Sequence, residues 1–186
     1  QNRKEQKKWL KLSFDATKDY KILYTLYGMG EREYAASNLE KNIANLPDDG
    51  VSLLKNIYLW SSKNDKYYEF IKKNLPLSKL TEIDLPILAK IAAEKGDIKT
   101  AADCYDELVS KTKEPKYLLD AAELMEYAGR PELSIKYYEK HYAATKNIES
   151  VERLAAVSYG LGDREGGLRY ERQKVFDEKN TTAIKA

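Results

Sequence analysis

Five short turn signals recur along the chain at nearly constant spacing: Met29-Gly30-Glu31, Lys63-Asn64-Asp65, Lys95-Gly96-Asp97, Ala128-Gly129-Arg130 and Leu161-Gly162-Asp163. Their central residues stand 34, 32, 33 and 33 positions apart. A fixed period of this size marks stacked structural repeats, in which each unit exposes an apolar face that only its neighbour can cover. The chain therefore reads as an array of helical hairpins, with a first helix ending before each marker and a second starting shortly after it.

The bulk numbers suit that architecture. Of 186 residues, 33% are charged and 42% apolar, the balance of a folded helical protein rather than a disordered tail. With 32 basic and 30 acidic residues the net charge is only +2, so no general field draws the chain to nucleic acid or anionic lipid. One cysteine, Cys104, excludes an internal disulfide framework and a multi-cysteine zinc site. No stretch is long and apolar enough to span a bilayer, so direct membrane insertion is not expected. The start at Gln1, running straight into helix-forming sequence, suggests a fragment of something longer, and the compartment is left open between periplasm and cytoplasm.

The third hairpin shows the pattern most clearly. Leu85, Leu88, Ala89 and Ala92 follow the i, i+3, i+4, i+7 spacing of one buried stripe, and Ala101, Tyr105 and Leu108 answer from the second helix. Asp84 is the expected N-cap, and Pro86 is tolerated because the first helical turn lacks intrahelical acceptors for its amides. Small residues are needed where the two helices of a hairpin come closest, since a larger side chain pushes them apart.

These residues resemble the tetratricopeptide (TPR) repeat family. Leu85, Leu88 and Ala89, then Gly96-Asp97, Ala101, Tyr105 and Pro115 follow the family order. Leu118, Ala121, Ala122, Gly129, Ser134 and Tyr138 repeat it, as do Val151, Leu154, Ala155, Gly162-Asp163 and Gly167. The first hairpin fits through Ile22, Leu23, Leu26, Gly30, Ala35, Leu39 and Pro47. The second departs most: Asn64-Asp65 replaces Gly-Asp, Asn56 falls where an apolar residue is expected, and Glu69 takes the small position. Its second helix, with Phe70, Ile71 and Leu75 closed by Pro76, is expected to be short or rotated.

The resemblance implies an all-α fold, a right-handed α-α superhelix of about five TPR-like hairpins with partial flanking repeats. The expected organisation is one solenoid domain over 1–186, with repeats at 16–49, 50–81, 82–114, 115–147 and 148–180. Residues 1–15 would end a preceding repeat, and 181–186 would start a following helix.

In such a superhelix the first helices line the concave face. The corresponding positions hold Tyr20, Tyr24, Tyr27, Leu54, Tyr58, Lys90, Glu94, Glu123, Glu126, Tyr127, Glu152 and Tyr159. One end is rich in tyrosine and the other in carboxylate, a surface suited to gripping an extended peptide by aromatic contact and steering basic groups to the acidic end. Family members that clamp chaperone C-termini carry Lys and Asn at matched groove positions; here only Lys90 is basic and no asparagine supports it, which disfavours that role.

Nothing converges into a catalytic centre. His141 is the sole histidine, on an exposed-looking helix surface without a second ligand or base. Cys104 lies beside a buried stripe, where it packs as a small apolar residue. Glu123 and Glu126 read as a solvated face, and Gly166-Gly167 as a site of close helix packing within a helix. Asn180-Thr181-Thr182 matches a glycosylation acceptor. No residue is assigned to a cofactor or metal. The expected function is a non-enzymatic protein-interaction scaffold with a protein or peptide partner and no nucleic acid; the alternative is a periplasmic scaffold of a bacterial envelope or exopolysaccharide secretion assembly that also contacts glycan.

Overall fold

The computed structural model describes the backbone of residues 2–185 and the side chains of 2–179. Among the described residues every regular element is helical. The chain divides into two compact units, Gln1–Pro76 and Leu77–Ala186.

The first unit contains α1 (Asn2–Thr17), α2 (Tyr20–Gly28), α3 (Arg32–Lys41), a 3-10 turn at Ile43–Asn45, α4 (Asp48–Trp60) and α5 (Asn64–Asn74). Each helix packs on the next, and the first helices of the two hairpins, α2 and α4, also touch. The core is built from Phe14, Leu23, Leu26, Leu39, Leu53 and Ile71.

The second unit opens with a 3-10 turn at Leu77–Lys79 and continues through α6 (Asp84–Glu94), α7 (Ile98–Thr112), α8 (Lys116–Tyr127), α9 (Pro131–Thr145), α10 (Ile148–Gly160) and α11 (Arg164–Lys185). Successive helices pack antiparallel neighbour on neighbour, and α6 again meets α8. Leu85, Leu88, Ala101, Leu108, Ala121, Ala122 and Met125 are buried, as the stripes demand. Residues 181–185, expected to begin a new helix, continue α11 instead. The side chains of the Asn180-Thr181-Thr182 acceptor lie outside the described residues.

The period is written in the backbone. Each hairpin turn closes with the same six-residue hydrogen bond, from the N–H of Glu31, Lys63, Asp97, Arg130 and Asp163 to the carbonyls of Leu26, Tyr58, Ala92, Met125 and Ser158, at 2.8–2.9 Å. This is the Schellman closure, which requires a left-handed residue just before the donor. Gly30, Gly96, Gly129 and Gly162 supply it, with φ between +68° and +93°.

In the second hairpin the left-handed residue is Ser62, at φ +52°, and Asn64 is already the first residue of α5. The true steps are 32, 34, 33 and 33. Anchoring on Asn64 therefore displaces that hairpin's register by two residues. The small position five residues past the turn is occupied by fully buried Tyr67, not Glu69, and α5 is short, 11 residues against 15 for α7 and α9.

Caps fix the other ends. Asp97 accepts from the Thr100 N–H at 3.2 Å, and Asn147 from that of Glu149 at 2.9 Å. Asp84 caps in a different way from the one expected: it lies inside α6, and Thr81 precedes it in a reciprocal box. The Asp84 carboxylate accepts from the Thr81 N–H at 3.1 Å, while the Thr81 hydroxyl accepts from the Asp84 N–H at 3.2 Å. A second repeated motif went unread in the sequence. Thr17-Lys18-Asp19, Thr112-Lys113-Glu114 and Thr145-Lys146-Asn147 each end a helix with a lysine at φ +54° to +58°. The threonine hydroxyl in each accepts from the N–H two residues on, at 3.1–3.2 Å.

His141 overturns its expectation. It is 5% exposed, and its Nδ1 lies 2.6 Å from Ser150 Oγ, tying α9 to α10. Its place follows from Ser134, Tyr138 and His141, an i, i+4, i+7 stripe that is buried throughout. Burial lowers its pKa below the usual histidine value, with the Glu149 charge pulling weakly the other way. A depressed folded value means that the unfolded chain takes up the proton first. Its contribution to stability is thus complete above about pH 6.5 and lost as pH falls from there through the folded pKa. Urea midpoints of the wild type should drop between pH 7.5 and pH 5.5, with a smaller drop in His141→Gln; equal slopes would contradict this.

Candidate functional site

In the first unit the exposed face of α2 and α4 is aromatic. Tyr24 is 37% exposed and donates to the Asp49 carbonyl at 2.9 Å. Burial and the Asp49 charge raise its pKa. Tyr27 on α2 meets Trp60 on α4 with ring centroids 5.7 Å apart at 33°, and the Arg32 guanidinium lies 5.6 Å from the Tyr27 ring. Trp60 is 66% exposed. Tyr20 is half-buried, its ring edge-on to Phe14.

Leu54 and Tyr58, assigned to the groove from sequence, are core residues. The two-residue register error is the reason: counted from Ser62, Leu54 stands where Leu88 does and Tyr58 where Met125 does. Tyr58 packs edge-on against Phe70 and donates to Glu40 at 3.1 Å. The corrected register puts Ser52 and Asn56 at the exposed positions, so an asparagine does occupy the place that Lys90 holds in the third hairpin. It puts Trp60 in line with Glu94 and Tyr127, which is the signal by which Trp60 could have been found.

In the second unit α6 and α8 border a cleft of about 690 Å³. Pro86, Ile87, Lys90 and Glu94 line it from α6, Asp120, Glu123, Leu124 and Tyr127 from α8, and Tyr105 from α7. Spacings of four on α6, and of three and four on α8, bring these side chains to one face. The cleft thus gathers Lys90, Glu94, Glu123 and Tyr127, four of the residues selected from sequence. Asp120, nine residues before Gly129, falls outside the sequence selection, whose positions stand ten, six, three and two residues before the turn marker. Loss of water raises its carboxyl pKa above the usual value, Lys116 pulling the other way. Burial, with the nearby Asp120 charge, pushes the Tyr105 hydroxyl up to about 12.

The remaining assignments have structural partners. Arg153 of α10 donates to Glu126 at 3.0 Å and, weakly, to the Tyr138 hydroxyl at 3.4 Å. Glu152 pairs with Lys174 at 2.6 Å. Tyr159 covers Gly167, where a Cβ would stand 2.4 Å from its ring, so this glycine is where α10 and α11 approach closely. Cys104 is buried and its thiol is pushed up to about 12 by that burial.

No protein-family model and no curated protein sequence matches the chain. Solved structures do. Two crystal structures of MamA align at 15% identity, one over 86% of this chain and 95% of the other with a TM-score of 0.50, the second over 95% and 96% with a TM-score of 0.52. A Podosopora anserina putative kinesin light chain with nearly identical TPR-like repeats aligns at 14% identity over 87% and 94%, with a TM-score of 0.45. The fold is that of a TPR-type repeat protein. Identities this low speak for the TPR-type fold alone. Among the described residues, no group of three His, Cys, Asp or Glu could hold a metal ion, and no helix is long and apolar enough to cross a membrane.

Proposed function

We propose that this chain is a non-enzymatic protein-interaction scaffold that binds a partner segment along the exposed face of its first helices. The observation that carries this reading is the α6/α8 cleft. Tyr127 is 77% exposed there beside half-buried Pro86, Ile87 and Leu124, and among the described residues none of Lys90, Glu94, Asp120 and Glu123 has an ion-pair partner. Side chains that serve only the fold find partners inside it, as Glu126 and Glu152 do. A large aromatic in an otherwise polar rim is the usual anchor of a binding surface.

A photo-crosslinking amino acid placed at Tyr127 or Tyr24 should form adducts with a defined partner segment, mapped by mass spectrometry. The same group at Lys136, on the outer side of α9, should not. Capture that is equal or stronger at Lys136 would move the interface to the second helices.

One observation favours the alternative scaffold, a periplasmic one that also touches glycan. The exposed Trp60 ring, set against half-buried Tyr27, offers an apolar face on which the C–H face of a sugar can lie. Quenching of Trp60 fluorescence by an acidic exopolysaccharide, absent in Trp60→Phe, would support it; unaltered emission would remove it.

A further inference from the structure

Three carboxylates, Glu94, Asp120 and Glu123, face one ammonium, Lys90, in the α6/α8 cleft. Acid is in excess, and among the described residues none of the four groups has an ion-pair partner. Lys116, one turn before Asp120, is held by Glu114 at 2.5 Å. Asp120 and Glu123 stand three apart on one helix, an arrangement of like charges that weakens a helix, with only the Lys116 charge acting against it at Asp120. Tyr105 lines the same cleft. It is only 7% exposed, it borders the cleft beside Asp120 and Glu123, and its hydroxyl has no hydrogen-bond partner among the described residues. The ring is held in the core while the hydroxyl is left free at the cleft, where a ligand can use it as a donor.

We infer that this cleft binds a cationic, partly apolar peptide segment, with an arginine of the partner entering between Asp120, Glu123 and Glu94. The inference rests on the scaffold reading and names the chemistry of its partner. The aliphatic stem of the arginine lies on Ile87 and Leu124, and its guanidinium donates to two carboxylates at once and stacks on the exposed Tyr127 ring, which an ammonium does less well. The Tyr105 hydroxyl donates to a backbone carbonyl of the segment. Anionic ligands, nucleic acid among them, are repelled by the same charges.

The test is fluorescence anisotropy of the full chain with three labelled decapeptides that alternate leucine with arginine, leucine with glutamate, and serine with arginine. The leucine-arginine peptide should bind best, and added salt should weaken it. Asp120→Asn combined with Glu123→Gln should weaken it about ten-fold, and Tyr105→Phe roughly three-fold, with helicity unchanged. Lys90→Glu should tighten it. Equal affinity for the leucine-glutamate peptide, or indifference to the paired amide substitutions, would overturn the inference. If that happens while Tyr127 still crosslinks its partner, the cationic segment is discarded and the scaffold stands; if neither Tyr127 nor Tyr24 crosslinks, both fall.

Discussion

Phe14→Ala destabilises residues 1–76 by about 3–5 kcal/mol, most of it felt as release of α1. Phe14 is fully buried and is the one buried residue of that helix. Its ring sits edge-on to Tyr20 and Tyr34, with centroids 5.9 and 6.4 Å away, and Lys18 lies 5.2 Å over it. The other attachments of α1, Lys7 and Lys11 to Glu31 and the Tyr34 hydroxyl to Asp15 at 3.2 Å, are solvent-accessible polar contacts of the kind that contribute little. A helix of 16 residues is marginal without tertiary packing, so α1 should fray once its anchor is gone. Hydrogen exchange of the α1 amides, read beside a urea titration, checks this: wild-type protection in Phe14→Ala would mean that the ion pairs hold the helix after all.

Ala122→Leu costs about 1–3 kcal/mol, and Ala101→Leu a similar amount. Both alanines are fully buried, Ala122 on α8 and Ala101 on α7, where paired helices pack. Added methylenes have no void to enter and must separate the helices or leave their preferred rotamers. Because repeat arrays lose stability through each broken interface, the effect should spread to the adjoining hairpin in the same unit. Unchanged thermal unfolding in both variants would contradict the assignment of these positions to the close approach.

How much of this was legible beforehand differs from hairpin to hairpin. Where glycine marks the turn, the sequence announces the left-handed residue, and the helices, their small positions and the four cleft residues Lys90, Glu94, Glu123 and Tyr127 follow. Ser62 gives no such sign, because a serine forced to positive φ by its surroundings looks like any other serine. Asn64, a residue type that tolerates that conformation, stood nearby as a decoy. One misplaced anchor then exchanged core for surface over the whole of α4, and Leu54 and Tyr58 took the places of Ser52 and Asn56. His141 failed for another reason. Its neighbours along the chain are polar, but its neighbours along the helix stripe, Ser134 and Tyr138, are buried, and the stripe decides. The aromatic pair Tyr27–Trp60 and the unused hydroxyl of Tyr105 are matters of tertiary geometry that no local pattern contains.

The five Schellman closures use only main-chain donors and acceptors, and they ask of the side chain nothing beyond tolerance of one unusual backbone angle. A protein whose rhythm is stored there can drift through almost any alphabet of surface and groove residues without losing its beat. Kinship of form can then survive at 15% identity, while the chemistry of each cleft is free to be rewritten for a new client.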